Sequence, residues 1–173
     1  MVTSVYAFAP GFDPQQITQI EVGHFNGKSG EEAKVAAELP DKLTTLLTKS
    51  GLPALVGPTG TPGAYVISGT VTRVEPEGSP TAGTQAEARI TRSNTTVGFM
   101  QINSQAPVDS VLYGAAPALL IGSLIRQAFA PGRTDFVSGD ISNVLQQARA
   151  GKREGVVNNP NGPHMWLKET NPR

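Results

Sequence analysis

Apolar residues recur at two spacings along this chain, and the change from one to the other marks out its elements. From Ile17 to Phe25 apolar and polar positions alternate. Ile20, Val22 and His24 fall on one side, with Ile17 and Phe25 at the ends. The alternation is short and slightly irregular, as expected of a strand covered on more than one side. From about Glu31 to Ser50 the spacing changes. Val35, Leu39, Leu43, Leu46 and Leu47 form one stripe at the 3.6-residue period of an amphipathic helix. Pro40 falls inside it, where proline removes a hydrogen bond and crowds the preceding turn. The stripe keeps its phase across Pro40, which predicts one kinked helix rather than two. Ser29 suits the N-cap, and Glu31 and Glu32 complement the helix dipole. Gly51 suits the position just past the C-terminus, with Leu52-Pro53 as a stop. Ala54–Val56 then reads as a short strand.

Tyr65 to Glu75 is the strongest strand of the chain, with five β-branched residues between Val66 and Thr72. Gly69 in its centre predicts a bulge or the close approach of another element. Thr84–Arg92 alternates cleanly, and Ser93-Asn94 closes a hairpin onto Thr95–Ser104. The adjacent Phe99 and Met100 break that strand's alternation, which a bulge would explain. Before all this, Val5–Pro10 reads as a short edge strand or an apolar arm, and Gly11-Phe12-Asp13-Pro14 as a turn.

After Pro107 the chain becomes apolar. Ser110–Ile125 is an uncharged run of 16 residues interrupted by Pro117. That is shorter than the roughly 20 residues needed to span a bilayer. A buried helix beginning near Pro117 is expected, with an interfacial or partner-facing helix as the alternative. Ser138-Gly139-Asp140 reads as the cap of a short helix Ile141–Ala150, ended by Gly151. The tail from Val156 has no periodicity but holds the single Trp, Trp166. These elements predict an α+β fold, an α/β sandwich. Its mixed, mostly antiparallel sheet carries one long helix and C-terminal helices. A single α/β domain is expected over 1–150, with an irregular C-terminal arm over 151–173.

Composition narrows the possible chemistry. The 173 residues hold 14 Lys+Arg against 14 Asp+Glu, so no net field draws the chain to nucleic acid or an anionic membrane. Charged residues are 16%, below the roughly 25% usual for soluble domains, while Gly (19) and Pro (14) are plentiful. That balance suits many turns, or a surface covered by a partner. With no cysteine, disulfides, thiolate nucleophiles and Cys-metal sites are excluded. No basic segment followed by an apolar run suggests a signal peptide at Met1. Gly27-Lys28-Ser29, between a strand and a helix, has the end of a phosphate-binding loop. The full motif needs glycine five residues before Gly27, where Val22 stands, so a plain turn and cap is expected. His24 and His164 are the only histidines and are too far apart in sequence for an i,i+4 metal pair. Glu31/Glu32 and Glu75/Glu77 read as solvated pairs. Asn94-Thr95-Thr96 matches a glycosylation pattern short enough to arise by chance.

The stretches ITQIEVGHFNGKSG, DKLTTLLTKSGLPALVG and AYVISGTVTRVE carry a resemblance. Together they cover about Ile17 to Glu75, one third of the chain. They resemble the core of bacterial envelope proteins related to the curli-secretion channel lipoprotein and the amino-terminal domain of TolB. The resemblance implies a mixed sheet with a helix on one face, in a periplasmic or outer-membrane-attached assembly, mostly without enzymatic activity. The lipid-anchor Cys of such lipoproteins is absent, and the segment after Pro107 has no counterpart.

The resulting expectation is a non-enzymatic accessory or scaffold subunit of a bacterial cell-envelope complex. It is expected in the periplasm or at the membrane, if the N-terminus was processed, and it would act through protein–protein contacts. Its partners would be other protein subunits, further copies of itself included, with membrane-surface contact also open. No nucleic acid, cofactor, metal or catalytic residue is expected. Leu119, Leu120, Leu124, His164, Met165, Trp166 and Leu167 are the partner-contact candidates. A phage or virion structural protein is the first alternative, and a small-molecule or nucleotide-binding domain the second.

Overall fold

The period-2 stretches assemble into one sheet and the period-3.6 stretches lie across one of its faces. The computed structural model describes residues 3–28, 30–75, 83–105, 133–158 and 168–169. Among these, the strands are β1 (Thr3–Phe8), β2 (Ile20–Gly27), β3 (Ala54–Val56), β4 (Tyr65–Val74), β5 (Gly83–Arg92), β6 (Thr95–Gln105), β7 (Glu154–Asn158) and β8 (Lys168–Glu169). The helices are α1 (Gly30–Lys49) and α2 (Arg133–Arg149), with a single 3-10 turn at Pro14–Gln16. The strand order is β3-β2-β4-β5-β6-β1-β7-β8. β2 pairs in parallel with both β3 and β4, and all the other pairs are antiparallel. This is an α+β fold with a mixed, mostly antiparallel sheet.

Register shifts in β2 and β6, and a close approach in β4, account for three features of the sequence. In β2 the register against β4 shifts between Val22 and Phe25. Ile20 and Val22 point into the core before the shift and Phe25 after it, while His24 is exposed. The expected Ile20–Val22–His24 face is therefore wrong at its third member, because the bulge reverses the parity of the strand. In β6 the extra residue is Val97, since Ile90 pairs with Gly98 and Thr91 with Thr96. The bulge expected at Phe99-Met100 is not there. Met100 points inward and Phe99 outward, in ordinary alternation. At the centre of β4, a Cβ on Gly69 would overlap the backbone of Glu87 and Ala88 on β5. The close approach expected there is real. Ser93 and Asn94 close the β5–β6 hairpin with φ of 50° and 63°, the two positive values that a tight two-residue turn requires.

α1 forms where its stripe predicts, with one change of membership. Val35, Leu39, Leu43 and Leu47 are buried on the sheet together with Ala36, while Leu46 is only half-buried, and Pro40 lies within the one helix. The Leu52 N–H bonds the Leu47 carbonyl at 3.0 Å and the Gly51 N–H bonds Thr48 O at 3.2 Å, with Gly51 at φ 93°. This pair of bonds satisfies carbonyls that would otherwise be left open at the helix end. The N-cap expected at Ser29 lies outside the described residues, as does the helix expected near Pro117.

Three expectations need correction. β1 is not an edge strand, because β7 pairs along its other side. Glu154–Asn158 is therefore a strand inside the sheet, although it was expected to open an irregular arm. Two β-branched residues, Val156 and Val157, sufficed once β1 offered an open edge. Ser138-Gly139-Asp140 does not cap a helix at Ile141. It lies inside α2, where the Ser138 hydroxyl donates to the Thr134 carbonyl one turn earlier at 2.7 Å. That bond turns the side chain of a residue suited to capping back onto its own helix. The two helices are tied by Thr134 Oγ1 donating to Glu38 Oε2 at 2.9 Å and by Lys42 Nζ with Asp135 Oδ1 at 3.0 Å.

Candidate interaction surfaces

α1 and α2 share one face of the sheet, so its other face is lined by the outward residues of each strand. Pairing places Ser68, Arg89, Phe99, Ala7 and Glu154 in one row across five strands. The next row holds Thr70, Glu87, Gln101, Val5 and Val156. Arg89 lies over the Phe99 ring at 5.6 Å, and Gln101 Nε2 meets Glu87 Oε1 at 3.5 Å. Val5 is 37% exposed, more than the core-facing residues on either side of it. This face has mixed polarity, with hydroxyl, amide and charged groups around a small apolar centre. Among the described residues it brings no reactive groups together.

The edge at β3 is partly closed. Pro53 O and the Gly57 N–H bond back to β2, so Ala54 and Val56 present their backbone groups outward. Thr48 of α1 caps the first of these: its hydroxyl lies 3.3 Å from Ala54 N and 3.4 Å from Ala54 O. Blocking an edge in this way discourages strand addition. Leu55 and Val56 are about half exposed. Behind this edge Glu21 is buried, and its carboxylate accepts from Thr59 N at 2.6 Å and from Thr59 Oγ1 at 2.8 Å. The carboxylate thereby fixes the loop after β3.

A surface cleft of about 330 Å³ opens where β2 and β4 begin and β5 ends. Gln16, Thr18, Gln19, Gly63, Ala64, Tyr65 and Arg92 line it. A smaller hollow of about 100 Å³ shares Gln19, Ala64 and Tyr65 with it and extends along Glu21 to Leu55. Arg92 Nε donates to Gly63 O at 3.1 Å, Nη1 lies 3.4 Å from Tyr65 Oη, and the guanidinium stacks 5.2 Å from the Tyr65 ring centre. No single motif marks this cleft. Its residues lie far apart, and Arg92 meets Tyr65 only through the β4–β5 register.

Under α2 lies a polar seam. Asp140 is 3% exposed, and burial pushes its carboxyl from 3.8 up to about 7, against the opposing pull of the nearby Ser104 hydroxyl. Among the described residues, Asp140 Oδ2, Ser104 Oγ and Asn143 Nδ2 are buried without a hydrogen-bond partner.

The residues singled out by sequence fare differently. Leu119, Leu120, Leu124, His164, Met165, Trp166 and Leu167 all lie outside the described residues. At Gly27-Lys28-Ser29, Gly27 ends β2, and a Cβ there would overlap the Glu32–Ala33 backbone in the first turn of α1. Glycine is needed for that packing, and Lys28 is exposed. Ser29 lies outside the described residues. Among the described residues no group of three or more His, Asp or Glu side chains could hold a metal ion. Nor is any described helix long and apolar enough to cross a membrane.

No protein-family model matches the chain, and no curated protein matches it. Among solved structures it is similar to the PelC dodecamer from Paraburkholderia phytofirmans. The identity is 12% and the TM-score 0.55, over 86% of this chain and 98% of that one. Lipoprotein GNA1162 from Neisseria meningitidis aligns with a TM-score of 0.39 at 12% identity, over 65% of this chain and 97% of that one. A minor lipoprotein from Acinetobacter baumannii aligns with a TM-score of 0.29 at 12% identity, over 88% and 96%. The likeness to PelC is one of fold, and that to the lipoproteins is weaker.

Proposed function

We propose that this protein is a non-enzymatic subunit of a bacterial envelope assembly, in the periplasm or at the membrane, and that it works by associating with further copies of itself. The observation that carries this reading is the fold shared with nearly the full length of a PelC chain, a protein described as a dodecamer. The mixed polarity of the sheet face opposite α1 and α2 supports it, since hydroxyl, amide, charged and apolar side chains there suit contact with another protein surface. Further contacts are proposed at Leu119, Leu120 and Leu124 in the apolar segment and at His164, Met165, Trp166 and Leu167 in the tail. Tryptophan is among the residue types that most often dominate a protein–protein interface, which makes Trp166 the first of these to test.

Sedimentation velocity on the full chain tests the reading. A closed multi-subunit species is expected, and Trp166→Ala is expected to shift it toward monomer. A wild-type chain that stays monomeric as its concentration is raised would overturn it.

A further inference from the structure

We propose that the cleft at the start of β2 and β4 binds a small hydroxylated carboxylate, with Arg92 as the anion contact. The argument begins with how Arg92 is held. A guanidinium carries five N–H donors and cannot lose its charge. The bonds it makes go to neutral acceptors, the Gly63 carbonyl and the Tyr65 hydroxyl. Among the described residues no carboxylate lies within ion-pair reach of it. The nearest acidic wall of the adjoining hollow is Glu21, whose two oxygens are already engaged by Thr59. Arg92 is therefore positioned and not neutralised, and among the described residues its Nη2 group bonds to nothing.

The support beneath it is rigid. Tyr65 is 8% exposed and its ring packs edge-on against Phe12 at 5.8 Å. Phe12 in turn stacks on Phe8 at 6.0 Å. A guanidinium stacked on a fixed ring loses little further freedom when it binds, which favours a planar, two-oxygen partner over a point charge. A carboxylate is such a partner. The remaining polar walls, Gln16, Thr18 and Gln19, offer donors and acceptors without charge. Hydroxyl groups on the ligand match that set, and a second charge would find no counterpart there.

The test is a titration of the isotope-labelled full chain with glucuronate, followed by amide chemical shifts. Glucose and inorganic phosphate are titrated in parallel. Saturable shifts at Thr18, Gln19, Gly63, Ala64 and Tyr65 are expected with glucuronate, weaker ones with phosphate, and none with glucose. Arg92→Gln is expected to weaken glucuronate binding by at least about tenfold, the loss typical of a charged hydrogen bond. Gln19→Glu leaves Arg92 in place but puts a competing carboxylate into the cleft, and is expected to abolish binding as well. The proposal is overturned by equal binding to Arg92→Gln, by phosphate or glucose binding as tightly as glucuronate, or by shifts scattered over the surface. The cleft stands or falls independently of whether the chain self-assembles.

Discussion

α1 and α2 lie side by side on one face of one sheet, yet they bury different chemistry. The buried residues of α1 are Val35, Ala36, Leu39, Leu43 and Leu47, all apolar and all on one stripe. α2 buries Val137, Ile141, Val144, Leu145 and Ala148 in the same way, but also Thr134, Ser138, Asp140, Ser142 and Asn143. α1 thus has a dry side and a wet side, as an amphipathic surface helix should. α2 is buried almost all round, and its polar side chains must find partners there or go without. The Ser138 and Thr134 hydroxyls find them, on the backbone of α2 and on Glu38. Asp140 does not find a good one. The difference teaches that covering a sheet does not require an apolar stripe alone, provided the polar remainder is bonded or can take up a proton.

The largest effect is expected where the apolar packing is simplest. Leu39 is fully buried in the stripe of α1. Leu39→Ala should cost about 3 kcal/mol, from the lost transfer energy plus the cavity left behind. Urea unfolding would show it as a lower midpoint with an unchanged slope. A loss below about 1 kcal/mol would mean that the site collapses freely and that the stripe does not hold α1.

Asp140 gives the next effect, and its sign follows from the direction of its shift. The carboxyl is raised from 3.8 to about 7 in the folded protein. Between those values the folded state binds more proton than the unfolded chain. Asp140 therefore favours folding most at acid pH, and its contribution falls as pH rises through about 7. Over that window the change is on the order of 4 kcal/mol. Asp140→Asn cannot titrate there and should flatten the fall. The variant should match the wild type only below about pH 4, and its advantage should grow between pH 5 and pH 8, as thermal or denaturant unfolding at the two values would reveal. Parallel pH profiles for the two proteins would show that Asp140 is solvated and that the seam under α2 is not strained.

The two helices also differ in how much of them could be read from sequence. α1 was legible because its spacing, its acidic first turn and Gly51 all agree. α2 misled because local chemistry and tertiary packing disagree. Ser138-Gly139-Asp140 is a good cap by composition, and only burial against the sheet and α1 makes it helix interior. In the sheet, the alternation of β5 was read correctly, and that of β4 as far as Val71, after which a register shift against β5 leaves Arg73 exposed and packs Val74 on the core. The His24 error came from a bulge, which inverts parity without leaving a residue signature apart from Gly23. β7 was missed because five residues with two adjacent valines carry little signal until an open strand edge is known. The Arg92 cleft was hidden for a different reason. It depends on cross-strand register, and a register joins residues that no local pattern connects.

The smallest expected effect tests whether the helices end alike despite packing differently. Both stop at a glycine with positive φ, 93° at Gly51 and 106° at Gly151. Both make the same pair of closing bonds, Leu52 N–H to Leu47 O at 3.0 Å and Lys152 N–H to Gln147 O at 3.1 Å among them. A Cβ at Gly51 would meet nothing within 4 Å, and one at Gly151 would meet only the Gln15 amide nitrogen at 4.0 Å. Alanine at either position therefore pays in backbone conformation alone, about 1 kcal/mol. Equal losses in Gly51→Ala and Gly151→Ala, measured by thermal unfolding, would confine the contrast between α1 and α2 to their sides. A clearly larger loss at Gly151 would place part of it at the helix end. There the chain turns within two residues into β7, and Arg153 O already accepts from Phe8 N at 3.0 Å. A disturbed cap would then be felt in the pairing that holds β1 inside the sheet.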